Sequence, residues 1–180
     1  MKTPTIIKTA IKKISSSTWG AKFLGRFLPA IDRWWFRSFG GEKTLTETLL
    51  DLPTVMVTTI GAKSGLPRTT PLIYFQDPQN PVGFALVATN FGNEKYPAWV
   101  YNLKANPRAI CRLNGTTKHY LAHEIQGDEY QRYWELAINA YFGYQLYRQR
   151  IHNRPIPIFL FEPIPQDSSC FEHEGSVSPL

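Results

Sequence analysis

The chain of 180 residues is poor in cysteine, with only Cys111 and Cys170. Two cysteines so far apart make neither a disulfide framework nor a CxxC redox pair, and a reducing cytoplasmic setting is expected. No unbroken apolar run reaches the roughly 18 residues of a membrane-spanning helix. The N-terminus has lysines but lacks an apolar h-region, so a cleaved secretory signal is not expected. Also missing are the GxxxxGK[ST] phosphate loop, the GxSxG elbow and the HExxH zinc helix. His119 and His123 have an HxxxH spacing, but in a strand-like run. There they stand about 13 Å apart at roughly 3.3 Å per residue, too far to share one zinc ion.

Aromatic residues are plentiful: 5 Trp, 9 Tyr and 11 Phe. They suit a pocket that stacks on ring systems, or an aromatic core. With 43% hydrophobic and 19% charged residues, the chain fits one globular domain with a sizeable core. The net charge of +6 is unevenly spread. Residues 1–43 carry nine basic groups against Asp32 and Glu42, a balance of +7, while the remainder balances at −1. The expected division is therefore a basic arm over 1–43, a main domain over 44–163 and a polar tail over 164–180. A nucleic-acid binder would carry basic charge across its folded body, so that class is not expected. Ile6, Ile7, Ala10, Ile11 and Ile14 form one apolar helical stripe in the arm. Phe23, Leu24, Phe27, Leu28, Ile31, Trp34 and Trp35 form another, interrupted near Pro29. Basic amphipathic segments of this kind lie at anionic membrane surfaces, or pack on their own domain or a second subunit.

From residue 54 the pattern turns to short β-prone runs: 54–60, 68–76, 83–89, 108–113, 116–125 and 156–161. Asn114-Gly115 between two of them is a strong hairpin signal of type I′. Helices are expected over 96–106, ending before Pro107, and from Gly127 to about Tyr141. Six strands with two inserted helices and no βαβ alternation favour a mainly β (α+β) domain, a barrel and not a Rossmann sheet.

Three segments carry chemistry. In Gly61-Ala62-Lys63-Ser64-Gly65-Leu66-Pro67-Arg68-Thr69-Thr70-Pro71, a glycine-flanked turn exposes backbone N–H groups beside two cations, which suits a phosphate or carboxylate. Alone, such a segment is more often a solvated hairpin turn. In Thr89-Asn90-Phe91-Gly92-Asn93, followed by a helix with Trp99 and Asn102 on one face, a strand end runs into a glycine loop and a helix N-terminus. A buried Trp with a capping loop is the plainer alternative. Tyr141, Tyr144 and Tyr147 form one phenol-bearing stripe if their segment is helical, either as a pocket wall or as packing.

Taken in order, VTTIGAKSGLPRTTPLIYF, ATNFGNEKYPAWVYNLKANP, AYFGYQLYRQR and IPIFLFEP resemble the deazaflavin-dependent nitroreductase and quinone reductase family over about residues 54–163. The resemblance implies a split β-barrel related to FMN-binding oxidoreductases, holding the 8-hydroxy-5-deazaflavin coenzyme F-420 and passing hydride to a quinone or nitro compound. It implies cofactor contacts at Lys63, Arg68, Thr70, Pro71, Thr89, Asn90, Trp99 and Asn102, with the cations answering phosphate and carboxylates. It further implies an acceptor pocket of Tyr74, Tyr141, Tyr144 and Tyr147, with Tyr144 and Tyr141 nearest the chemistry. Homodimerisation, and peripheral attachment to the inner face of the cytoplasmic membrane through the arm, are also implied. One departure is Asn90, where nitroreductase-type members often have lysine; the lost charge keeps FMN open as an alternative cofactor. A non-catalytic lipid- or fatty-acid-binding module at a membrane surface is a further alternative on composition.

Overall fold

The computed structural model describes residues 52–165, so the N-terminal arm and the tail beyond Pro165 lie outside it. Seven strands and three α-helices follow in order. They are β1 (Thr54–Ile60), β2 (Pro67–Ile73), β3 (Phe75–Asp77), β4 (Asn80–Val87), α1 (Ala98–Ala105), β5 (Arg108–Leu113), β6 (Thr116–Glu124), α2 (Gly127–Ala140), α3 (Gly143–Arg150) and β7 (Ile158–Pro163). A 3-10 turn, Asn90–Gly92, stands between β4 and α1. The strands form one antiparallel sheet in the order β2-β1-β5-β6-β7-β4-β3.

Strands β2 and β3 are the two margins of that order, yet only Tyr74 separates them in the chain. Two residue steps span at most roughly 7 Å, so the margins must meet and the sheet must curl. The fold is a split β-barrel, as expected. Tyr74 donates its N–H to Pro53 O (3.2 Å), which fixes the corner. The run expected as one strand over 68–76 is thus two strands broken at this corner. A three-residue strand after a corner carries no periodicity of its own, which is why the seventh strand was not separable in sequence.

Where both faces of the sheet are covered, the strands read as continuous apolar runs. Phe84–Ala88 and Ile158–Phe161 are such runs, and their residues divide alternately between two cores. Phe84, Leu86, Phe159 and Phe161 join Val55, Val57, Trp99, Val100 and Leu103 in one core, capped by α1. Ala85, Val87, Ile158 and Leu160 join Tyr133, Trp134 and the 141–147 tyrosines in the other, under α2 and α3. Arg132 on α2 bridges to the buried Asp77 of β3 (Nε–Oδ2 2.5 Å), tying that helix to the sheet margin.

The Asn114-Gly115 turn has both φ values positive (46° and 78°), as a type I′ hairpin requires. Helix α3, which the sequence left conditional, is separated from α2 by Tyr141 and Phe142. The Tyr141 ring lies directly against Gly143, and a Cβ there would overlap it. The break lies at Tyr141, whose extended backbone (φ −151°, ψ 108°) follows the last turn of α2.

Candidate functional site

The first segment forms the β1–β2 hairpin turn. Gly61 N–H donates to Leu66 O (2.9 Å) and Gly65 N–H to Gly61 O (2.8 Å), with Gly65 at φ 65°. Lys63, Ser64 and Arg68 are exposed around it. The β1–β2 register pairs Thr59 with Arg68, Val57 with Thr70 and Met56 with Pro71. Paired residues share a face, so Arg68 and Thr70 lie on the side of Thr59 and the α1 core. Pro71 lies on the opposite face. The segment therefore groups Lys63, Arg68 and Thr70 but not Pro71.

Asn102 reaches this turn from α1. Its Oδ1 accepts the Ala62 N–H (3.0 Å) and its Nδ2 donates to Thr59 Oγ1 (2.9 Å). Both Asn102 and Thr59 are buried, at 7% and 2% exposure. Asn102 thus holds the turn in place, and both ends of its amide are engaged by protein. Trp99 sits in the core, edge-on to Phe159 with centroids 5.7 Å apart.

The second segment is a tight loop. Thr89 is buried, and Gly92 N–H and Asn93 N–H donate to Thr89 O (2.9 Å) and Asn90 O (3.0 Å). Asn90 Nδ2 donates to Lys95 O (2.8 Å), so this side chain closes its own loop. Two residues pinning the loop went unnoticed in the sequence: Arg154 bonds its carbonyls, and Glu94 receives the backbone N–H groups of His152 and Asn153. Those donors hold the Glu94 carboxyl below its usual pKa, chiefly through His152 N–H. Nothing in their local pattern marks them, because the partners lie about sixty positions away.

The third segment is a triangle and not a stripe. The rings of Tyr141, Tyr144 and Tyr147 stand 6.0, 6.0 and 6.3 Å apart, all edge to face. Phe75 meets Tyr144 (5.4 Å) and Phe91 meets Tyr147 (6.2 Å) in the same manner. All three tyrosines are buried. Burial pushes the phenols of Tyr144 and Tyr147 well above the ordinary tyrosine value, and Tyr141 adds to the rise in both. They are therefore hydroxyl donors throughout the physiological range, not bases. Tyr74 is placed apart: it packs on Phe84 in the α1 core, on the other face of the sheet. The structure groups three of the four expected pocket tyrosines, with Phe75 and Phe91 as unforeseen neighbours.

Cationic turn, pinned loop and tyrosine triangle occur in chain order within one curled sheet. The family model described as F420H(2)-dependent quinone reductase matches residues 30–163. The chain belongs to that family. A Mycobacterium tuberculosis protein named F420H(2)-dependent quinone reductase is 33% identical over 112 residues, covering 59% of this chain and 70% of its own length. A solved structure described as an F420-H2 dependent reductase (FDR-A) superposes with a TM-score of 0.54 at 36% identity, covering 61% of this chain and 94% of its own. Another, described as a domain-swapped dimer, has a TM-score of 0.57 at 34% identity and covers 72% of this chain and 95% of its own. The resemblance to deazaflavin-dependent nitroreductases and quinone reductases expected from sequence is borne out. FMN and lipid carriage draw no support from the family match. Among the described residues, no helix is long and apolar enough to cross a membrane.

Proposed function

We propose that this quinone reductase uses reduced F-420 to reduce a quinone-like acceptor, with the cofactor's anionic end at the β1–β2 turn. The observation that carries this reading is the family match over 30–163, which spans all three segments. The donor set fits an anionic group. Lys63 and Arg68 are exposed cations flanking a turn already braced by Asn102, with the Thr70 hydroxyl on the face of Arg68. When bound, the deazaflavin supplies the hydride.

The chain's own residues supply placement and hydrogen bonds. Lys63 and Arg68 pair with phosphate and carboxylate oxygens, and Asn102 keeps the turn from relaxing when they do. Thr89 and Asn90 border the same site from the loop. The tyrosine triangle forms the acceptor wall, and Tyr144, held neutral by burial, donates a hydrogen bond to an acceptor oxygen. Buried at 5% exposure, Tyr144 is reached only when the aromatic cluster parts to admit the acceptor. Nitro compounds are secondary acceptors in this reading, because Asn90 leaves the loop without the extra positive charge.

The deciding experiment is a fluorescence titration of the purified chain with F-420 and, in parallel, FMN. Micromolar or tighter binding of F-420 alone is expected. A preference for FMN, or affinity for neither, would overturn the assignment.

A further inference from the structure

The loop between β4 and α1 is gripped by a segment with no other part in the site. Arg154 Nη1 donates to Ala88 O (3.1 Å) and Pro155 O (3.1 Å). Its Nη2 donates to Thr89 O (3.2 Å) and Asn93 O (2.8 Å), and its Nε also donates to Asn93 O (3.2 Å). The guanidinium stands 4.6 Å from the centroid of the Tyr96 ring. From the same segment, His152 N–H (2.8 Å) and Asn153 N–H (3.3 Å) donate to the Glu94 carboxylate. The 152–154 segment therefore clasps the loop, supplying every donor while the loop supplies the acceptors. A planar five-donor fork suits three loop carbonyls at once in a way that an ammonium does not.

What the clasp holds is strained. Asn90 and Phe91 both have positive φ (48° and 56°), a conformation that residues with side chains rarely adopt twice in succession. Such backbone persists only where its surroundings over-determine it. The strained turn has a definite placement: Phe91 stands edge-on to Tyr147, and Gly92 lies so close that a Cβ there would come 3.3 Å from Tyr147 Cα. On its other side the loop continues into Thr89 and the end of β4. The turn thus joins the proposed cofactor border to the proposed acceptor wall.

We propose that Arg154 is a positioning residue, fixing the Thr89–Gly92 turn so that the cofactor and acceptor walls keep a set separation. This rests on the reading that Thr89 and Asn90 border the cofactor site and that Tyr147 lines the acceptor site. Loss of Arg154 loosens the turn and leaves the β-ladder intact.

The test uses the full chain with Arg154→Ala, Arg154→Lys and Tyr96→Leu. Hydrogen exchange without ligand reads the turn directly. The Gly92 and Asn93 amides are expected to exchange about tenfold faster in Arg154→Ala, while those of Leu86 and Phe161 do not change. Steady-state assays with reduced F-420 and a soluble naphthoquinone read the consequence. The F-420 dissociation constant and the quinone KM are expected to rise about tenfold or more in Arg154→Ala. Millimolar guanidinium should restore part of that loss in Arg154→Ala and change nothing in the parent, and Arg154→Lys should fall between the two. Unaltered exchange at Gly92 and Asn93 would overturn the proposal, and so would faster exchange with unchanged affinity and KM. If the parent binds no F-420, the functional reading fails while the exchange comparison still decides whether Arg154 holds the turn. Should Arg154→Ala not fold, Arg154→Lys and Tyr96→Leu give smaller effects of the same sign in both assays, and no effect in either overturns the proposal.

Discussion

Arg68 and Asn102 both belong to the cationic turn, and they should fail in opposite ways. Arg68 is exposed on an edge strand and contributes charge to a ligand. Arg68→Glu should weaken F-420 binding by about tenfold to a hundredfold, since it removes a charge-assisted contact and adds repulsion. A fluorescence titration checks this, and the melting temperature should stay within a degree or two of the parent. Asn102→Ala should do the reverse. It strands Ala62 N–H and the buried Thr59 hydroxyl, and costs about 2–3 kcal/mol in a denaturant melt. Sequence reasoning put Asn102 beside Trp99 on one face of the helix after the Thr89–Asn93 loop, and its reach back to the β1–β2 turn was not legible because Thr59 and Ala62 lie some forty positions away. Tyr144→Phe keeps the ring and loses the donor, so turnover should drop while cofactor affinity holds. Equal turnover would remove Tyr144 from the chemistry.

At the level of elements, legibility followed the range of the forces involved. The Asn114-Gly115 hairpin, the α1 stop at Asn106-Pro107 and the α2 start at Gly127 are set by neighbouring residues, and each was readable in advance. The β2–β3 corner, the α2–α3 break and the Arg154 clasp are set by contacts across the fold, and none was. The α2–α3 break offers a direct check. Gly143→Ala pushes a methyl into the Tyr141 ring and should destabilise the chain by roughly 1–3 kcal/mol, as overpacking does. It should also disturb the near-ultraviolet circular dichroism of the tyrosine triangle more than the far-ultraviolet helix signal. The same elements imply an alkaline limit. Tyr133 on α2 is fully buried, and burial, with Asp77 adding to it, pushes its phenol up to about 12. Above pH 10 the unfolded chain loses phenol protons that the folded chain keeps. Stability should therefore fall between pH 10 and 12 relative to neutral pH, with Tyr133→Phe reducing the slope. Urea midpoints across that range measure it.

On the scale of the whole molecule, the barrel and its family were legible because three motifs kept their order along more than a hundred residues. The arm over 1–43 and the tail lie outside the described residues, so attachment of the arm to a membrane rests on its charge and apolar stripes alone. Deleting 1–43 should abolish co-sedimentation with anionic vesicles at low salt and leave F-420 affinity intact; unchanged sedimentation would remove the membrane from the account. Homodimerisation is a further proposal, measurable by light scattering of the purified chain. Tyr74, finally, constrains how the protein can change in length. A seam of one residue joins the two margins of the barrel, so an insertion there relaxes the covalent constraint that brings β2 and β3 together. An extra residue at the exposed Asn114-Gly115 tip only lengthens a loop. Variation in size is therefore channelled to the hairpin ends, and tags or fused domains belong there rather than at the seam.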